Sequence, residues 1–195
     1  MNLLYAVFRL ITGVRYDSVW FISMSVWYFA LGGMKAYLTV CLHLAEDRDR
    51  DFERKCYRRT AKMLLLLNFP MGIMTTLMIV QNRSFAYPGY VILFSAFYTL
   101  WSVVNSVVNL TRFRKLGSLI LSASKALNLV AALMSVLGLQ TALLPAFCET
   151  EEQRQRLNTM TGSLVYVAVI VVSGMMLIRS RRDKKRHKND SLQQR

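Results

Sequence analysis

Apolar residues run in long blocks along this chain, and charged residues gather in the gaps between them. Five blocks, at about 19–43, 63–81, 88–110, 117–144 and 159–178, come close to the ~20 mainly apolar residues that a helix needs to cross a bilayer core. A sixth, 1–14, spans only about 21 Å as a helix, too short to cross alone. It is expected to lie at the interface, to insert partway, or to be the remaining half of a further span whose start lies upstream. A cleaved signal peptide fits poorly, because no cation precedes the apolar run, Arg9 interrupts it and no small-residue cleavage site follows. Arg15, Tyr16, Asp17 and Ser18 are polar enough to form a turn. The expected fold is therefore all-α, a polytopic transmembrane bundle of five spans plus an N-terminal half-span or interfacial helix in one domain over 1–178, with a basic tail over 179–195.

Orientation follows from the cations, which are retained on the cytoplasmic side. Seven Lys and Arg follow the first span, three follow the third and eight follow the fifth, whereas the alternate loops hold only Arg15, Arg83, Arg154 and Arg156. That alternation predicts a cytoplasmic C-terminus for a multi-pass protein. Composition agrees: 54% of residues are hydrophobic, too many for a soluble core of this size, and all eleven carboxylates lie outside the apolar blocks. The net charge of +14 is accounted for by cations flanking spans, so nucleic acid is not expected as a partner. The tail residues Arg179, Arg181, Arg182, Lys184, Lys185 and Arg186 are expected to contact anionic lipid headgroups.

Weak internal similarity aligns Ser25, Tyr28 and Lys35 with Ser95, Tyr98 and Asn105 at an offset of seventy, and Asn68 with Asn128 at sixty. Two parallel helical-hairpin repeats would produce this pattern.

Two polar stripes cross the apolar blocks. Ser95, Ser102, Asn105, Ser106 and Asn109 share one face of the third span, and Ser118, Ser122, Lys125 and Asn128 share one face of the fourth. Counted outward from the connection at 113–114, Asn109 falls level with Ser118, Asn105 with Ser122, and Ser102 with Lys125, so the stripes are predicted to face each other. Ser and Asn side chains commonly link membrane helices, which suffices for most of the stripe. Lys125 is different, since a central Lys costs about 2.5–3.5 kcal/mol and no carboxylate lies within a span to pair with it. Lys35, Ser102, Asn105, Lys125 and Asn128, with Asn68 nearby, would form an electropositive cavity for an anionic group.

Catalytic chemistry finds no motif: His43 and His187 are far apart, and only His43 with Glu46 and Asp47 offers a cluster of titratable groups. Asp47, Asp49 and Asp51 alternate with Arg48 and Arg50 and lack an EF-hand glycine, and Cys41, Cys56 and Cys148 form no CxxC pair. On the expected topology the three cysteines lie at different depths or on opposite sides. No metal or cofactor is expected, and the absence of intramembrane carboxylates disfavours ion-coupled pumping. The leading reading is a non-enzymatic scaffold or accessory subunit, partnered by lipid and by a second copy or another membrane protein. The alternative is a small transporter or channel-like protein for an anionic or polar solute, using the Lys125 site.

The segments YRRTAKMLLLLNFP (57–70), YPGY (87–90) and SLILSASKALNLVAALMSVLGLQTALL (118–144) resemble a family of small bacterial polytopic membrane proteins without an assigned activity. The resemblance implies a helical membrane fold, a bacterial source and a longer N-terminus in relatives. It implies no cofactor, partner or catalytic residue.

Overall fold

A computed structural model describes residues 2–45, 50–81, 89–112, 118–148 and 150–193. Among them are six helices and no strand: α1 (Asn2–Arg15), α2 (Val19–Ala45), α3 (Arg50–Gln81), α4 (Gly89–Arg112), α5 (Leu119–Phe147) and α6 (Glu151–Gln193). Each expected block forms a helix, and two helices outrun theirs. α3 begins thirteen residues before the apolar block, with Asp51 and Glu53 in its first turn, where carboxylates favour the positive end of the helix dipole. α6 runs through the basic tail without a break at 178.

Three helices are long and apolar enough to cross a membrane: α4 over Gly89–Val108, α5 over Leu119–Pro145 and α6 within Glu151–Asp183. Of the five expected, these three are the ones found among the described residues. Trp20, Trp27, Tyr28, Lys35 and Tyr37 dilute the apolar character of α2, and the apolar part of α3 runs into residues 77–81, whose side chains lie outside the described residues.

α5 is the central helix, packing against α2, α3, α4 and α6. α1 lies along α2, and α3 pairs with both α2 and α6. The helices are amphipathic in the reverse sense to those of a water-soluble bundle. On α1 the exposed side chains are Leu3, Leu4, Val7, Ile11 and Val14, while Tyr5, Arg9 and Thr12 are buried. α4 exposes Leu93, Phe97, Leu100 and Val104 and buries Ser95, Thr99 and Ser106. α6 likewise exposes Leu164, Val167, Val171 and Met175 and buries Asn158 and Ser173.

The turn expected at 15–18 is present and tightly made. Ser18 N–H donates to the Gly13 carbonyl at 2.8 Å, across Asp17 in the left-handed region at φ 47°, which closes α1 as a Schellman motif. Ser18 also opens α2, its carbonyl accepting from Ile22 N–H at 3.1 Å. Gly13 is required here for close approach: a Cβ would meet the Ile22 backbone nitrogen at 2.8 Å and the Phe21 carbonyl carbon at 3.2 Å, atoms that cannot swing away. Gly33, by contrast, has nothing within 4 Å of a built Cβ. Gly13→Ala is expected to lower stability in detergent micelles by about 1–3 kcal/mol, the usual scale of overpacking. Gly33→Ala is expected to leave stability unchanged or raise it by up to about 1 kcal/mol through helix propensity. Equal melting temperatures for Gly13→Ala and the parent would contradict the tight hairpin.

Candidate functional site

The polar stripes do not meet as the equal count from the loop predicts. Thr99 of α4 shares its hydroxyl between the Ser95 carbonyl at 2.8 Å and the Ser135 carbonyl of α5 at 3.1 Å, whereas the same equal count sets residue 128 opposite Thr99, so the hairpin register runs about two turns off. The N-terminal part of the α5 stripe points away from α4 altogether. Ser118 Oγ donates to Glu53 Oε1 at 3.0 Å, and the Leu119 N–H donates to Glu53 Oε2 at 3.3 Å, so a carboxylate from α3 caps α5 from outside the helix. Ser122 accepts from Arg179 Nη1 of α6 at 3.1 Å, with the Tyr57 hydroxyl of α3 nearby. Burial pushes the Tyr57 phenol above its ordinary pKa, against the lowering influence of Arg179. A central helix packed on four sides has no single partner for its polar face, which is why facing stripes could not be inferred from periodicity.

Asn68 is buried between α3 and α6, donating through Nδ2 to the Tyr166 carbonyl at 3.5 Å. Ser102 is half-buried and bonds the Tyr98 hydroxyl. Lys125 and Asn128 are half-buried, Asn105 is exposed, and both Lys125 and Asn105 have interaction partners. Lys35 is half-buried on α2, its carbonyl accepting from Thr39 Oγ1 at 3.1 Å. The backbone of Asn109 belongs to α4, but its side chain lies outside the described residues, as do those of Lys184, Lys185 and Arg186. Glu46, Asp47 and Asp49 also lie outside them. Arg179 turns to Ser122, Arg181 lines a cleft against α3, and Arg182 is exposed.

The deepest charge in the bundle is Arg9, which the sequence reading used only as an interruption. It is fully buried, facing inward from α1. Nε donates to the Tyr5 hydroxyl at 2.8 Å and Nη2 donates to the same oxygen, while Nη1 is buried without a hydrogen-bond partner. The guanidinium carbon sits 4.2 Å from the Phe21 ring centroid, a cation–π contact. Gly138 of α5 leaves the necessary space, since a Cβ there would meet Nη2 at 2.9 Å. Tyr5 in turn stacks on Tyr98 of α4 at 3.6 Å between centroids and meets Tyr28 of α2 edge-on at 5.0 Å. The cluster therefore joins α1, α2, α4 and α5. One signal in the sequence could have found it: Tyr5, Arg9 and Thr12 lie on one face at helical spacing, opposite five aliphatic residues.

A second convergence departs from expectation. Cys41 of α2 and Cys56 of α3, expected at different depths or on opposite sides, are both buried and lie together beside Tyr37, whose Oη donates to Cys56 Sγ at 3.6 Å. The residues 46–49 between these helices are too few to hold the two helix ends far apart. Among the described residues no group of three or more His, Cys, Asp or Glu side chains is placed to hold a metal.

No protein-family model, curated protein or solved structure matches this chain.

The arrangement around Arg9 fixes the order of two substitutions. Tyr5→Phe removes the acceptor of two guanidinium N–H groups and is expected to destabilise the bundle by about 1.5–3 kcal/mol. Arg9→Met removes the charge together with its needs and is expected to cost less, or to stabilise, as replacements of buried charges by apolar isosteres often do. Unfolding by SDS titration of mixed micelles measures both. A smaller loss for Tyr5→Phe than for Arg9→Met would contradict this account.

Proposed function

We propose that the chain is a non-enzymatic component of a bacterial cytoplasmic membrane, a scaffold or accessory subunit. In this reading α2 to α6 are five spans, α1 is a half-span inserted from the outer side, and the C-terminus is cytoplasmic. The reverse amphipathicity of α1, α4 and α6 supports embedding, because aliphatic faces turned outward along a helix suit lipid and not water. It also favours an inserted α1 over an interfacial one, whose outer face would be polar. The alternation of cations supports the orientation.

One observation carries the choice of a scaffold over a solute path. The inward polar groups Asn68, Thr99 and Ser122 each bond across a different pair of helices, through Tyr166, Ser135 and Arg179. Such groups hold helices together, and a solute path requires several of them around one lumen. Outward-facing small residues fit a role in assembly: Gly33 and Gly174 have open space where a Cβ would be, and close helix approach uses such positions. Gly33 lies in an apolar cleft of about 560 Å³ between α2 and α3, beside Ala30, Met63 and Pro70. The partner expected in this reading is another membrane protein or a second copy of the chain.

Reconstitution into liposomes tests the choice. The purified protein is expected to give no flux of chloride, phosphate or glycerol above protein-free vesicles, and Lys125→Met is expected to match the parent. A flux that Lys125→Met abolishes would overturn the scaffold reading in favour of an anion path through that residue.

A further inference from the structure

Where α3 and α6 run past their apolar segments they remain in contact, and a cleft of about 210 Å³ opens between them, lined by Asp51, Arg54, Lys55, Arg58, Ser180 and Arg181. Arg54 forms its fixed wall. Nη1 pairs with Asp51 Oδ1 at 2.7 Å and Nε with Asp183 Oδ2 at 3.2 Å, so carboxylates from both helices hold the guanidinium in place. Nη2 of the same group is buried and has no hydrogen-bond partner. Lys55, Arg58 and Arg181 stand exposed around the opening, and among the described residues none of them forms an ion pair. Ser180 is buried at the floor and carries a hydroxyl that can donate to an anion.

Depth narrows the ligand. Arg58 lies five residues before the apolar run that begins at Met63, and Arg181 lies three residues after Ile178. On helices these separations are about 5–8 Å, close to the thickness of the headgroup layer on one side of a bilayer. The volume falls below the ~300–1,000 Å³ of pockets that enclose drug-sized ligands, which suits a small charged group attached to something larger outside the cleft. Arginine forks and a lysine ammonium are the side chains that bind phosphate oxygens best.

We propose that the cleft between α3 and α6 binds the phosphate of an anionic phospholipid headgroup, with Arg58, Arg181 and Lys55 as its ligands and Arg54 as its fixed wall. The inference rests on the cytoplasmic placement proposed above and gives that surface a defined site in place of diffuse attraction along the tail. A bound lipid would also fasten α3 to α6 at the level where the spans leave the membrane. Inorganic phosphate presents the same oxygens without the acyl chains, so the two sources can be separated.

The test uses the full chain in a zwitterionic detergent, where membrane sidedness plays no part, with binding of a fluorescent phosphatidic acid followed by anisotropy. The parent is expected to bind phosphatidic acid saturably and phosphatidylcholine not at all. R58Q/R181Q is expected to weaken binding by about thirtyfold, the combined electrostatic contribution of two basic residues at an anionic headgroup. K62Q/R182Q removes the same charge from the same side outside the cleft and is expected to change affinity less than threefold. R58K/R181K keeps the charge and is expected to retain most of the binding, which separates a lost ligand from a lost fold. Equal weakening by R58Q/R181Q and K62Q/R182Q would overturn the site in favour of general attraction. Displacement by inorganic phosphate at concentrations equal to the lipid's would overturn the lipid assignment and leave a soluble anion. A failure here, with the C-terminus still protease-accessible only from the cytoplasmic side of cells, would remove the cleft and leave the proposed topology standing.

Discussion

Polar side chains in this bundle must find their partners inside it, because the outward faces of its helices are aliphatic. That single constraint accounts for features that look unrelated. Serine and threonine hydroxyls fold back on carbonyls one turn earlier, as Thr12 does to Phe8 and Ser173 to Val169. Others reach a neighbouring helix, as Ser25 does to the Ala6 carbonyl at 2.8 Å. Arg9 is the extreme case, a buried guanidinium held by a phenol, an aromatic face and the space left by a glycine, with Nη1 still unpaired. In water such an arrangement would forfeit hydration for little return, whereas in hydrocarbon the alternative is far more costly. The aromatic stack behind Arg9 adds packing of about 0.5–1.5 kcal/mol per ring pair. Through it, α1 becomes part of the core.

Most of the fold could be read from the chain. The apolar blocks at 19–43, 88–110 and 117–144 became α2, α4 and α5 with ends displaced by only a few residues. The polar turn at Arg15–Ser18 closes α1 and opens α2. The errors have physical causes. The apolar blocks at 63–81 and 159–178 bound the expected crossings but not their helices, because Asp51 and Glu53 begin a helix favourably, and Arg54 with Asp183 joins two helices outside the apolar region. Charged residues mark the limit of the lipid core and not of the helix.

The candidate site was legible only as a set of residue types. Lys125, Asn128, Ser102 and Asn68 are unusual for apolar spans, and periodicity grouped Ser102 on one face of α4 and Lys125 with Asn128 on one face of α5. It could not assign the neighbour, since α5 has four. Pairing α5 with α4 alone led to a cavity, whereas Ser122 looks toward Arg179 and Asn68 toward Tyr166. Arg9 escaped notice because a short block with one cation resembles an interface helix. Its burial depends on Gly138, more than a hundred residues away. Contacts at that separation leave no periodic trace in a single sequence.

The claim on which the rest turns is that the aliphatic face of α1 meets lipid and its polar face meets protein. Nitroxides attached at Leu4→Cys, Val7→Cys, Ile11→Cys and Val14→Cys, each in a chain free of native cysteines and reconstituted in nanodiscs, report it through collision with oxygen and with a water-soluble nickel chelate. The account predicts oxygen accessibility well above nickel accessibility at all four positions, with nickel excluded most strongly from Leu4 and Val7, farthest from the turn. Nickel accessibility exceeding that of oxygen at Leu4, Val7 and Ile11 would place this face in water and contradict it.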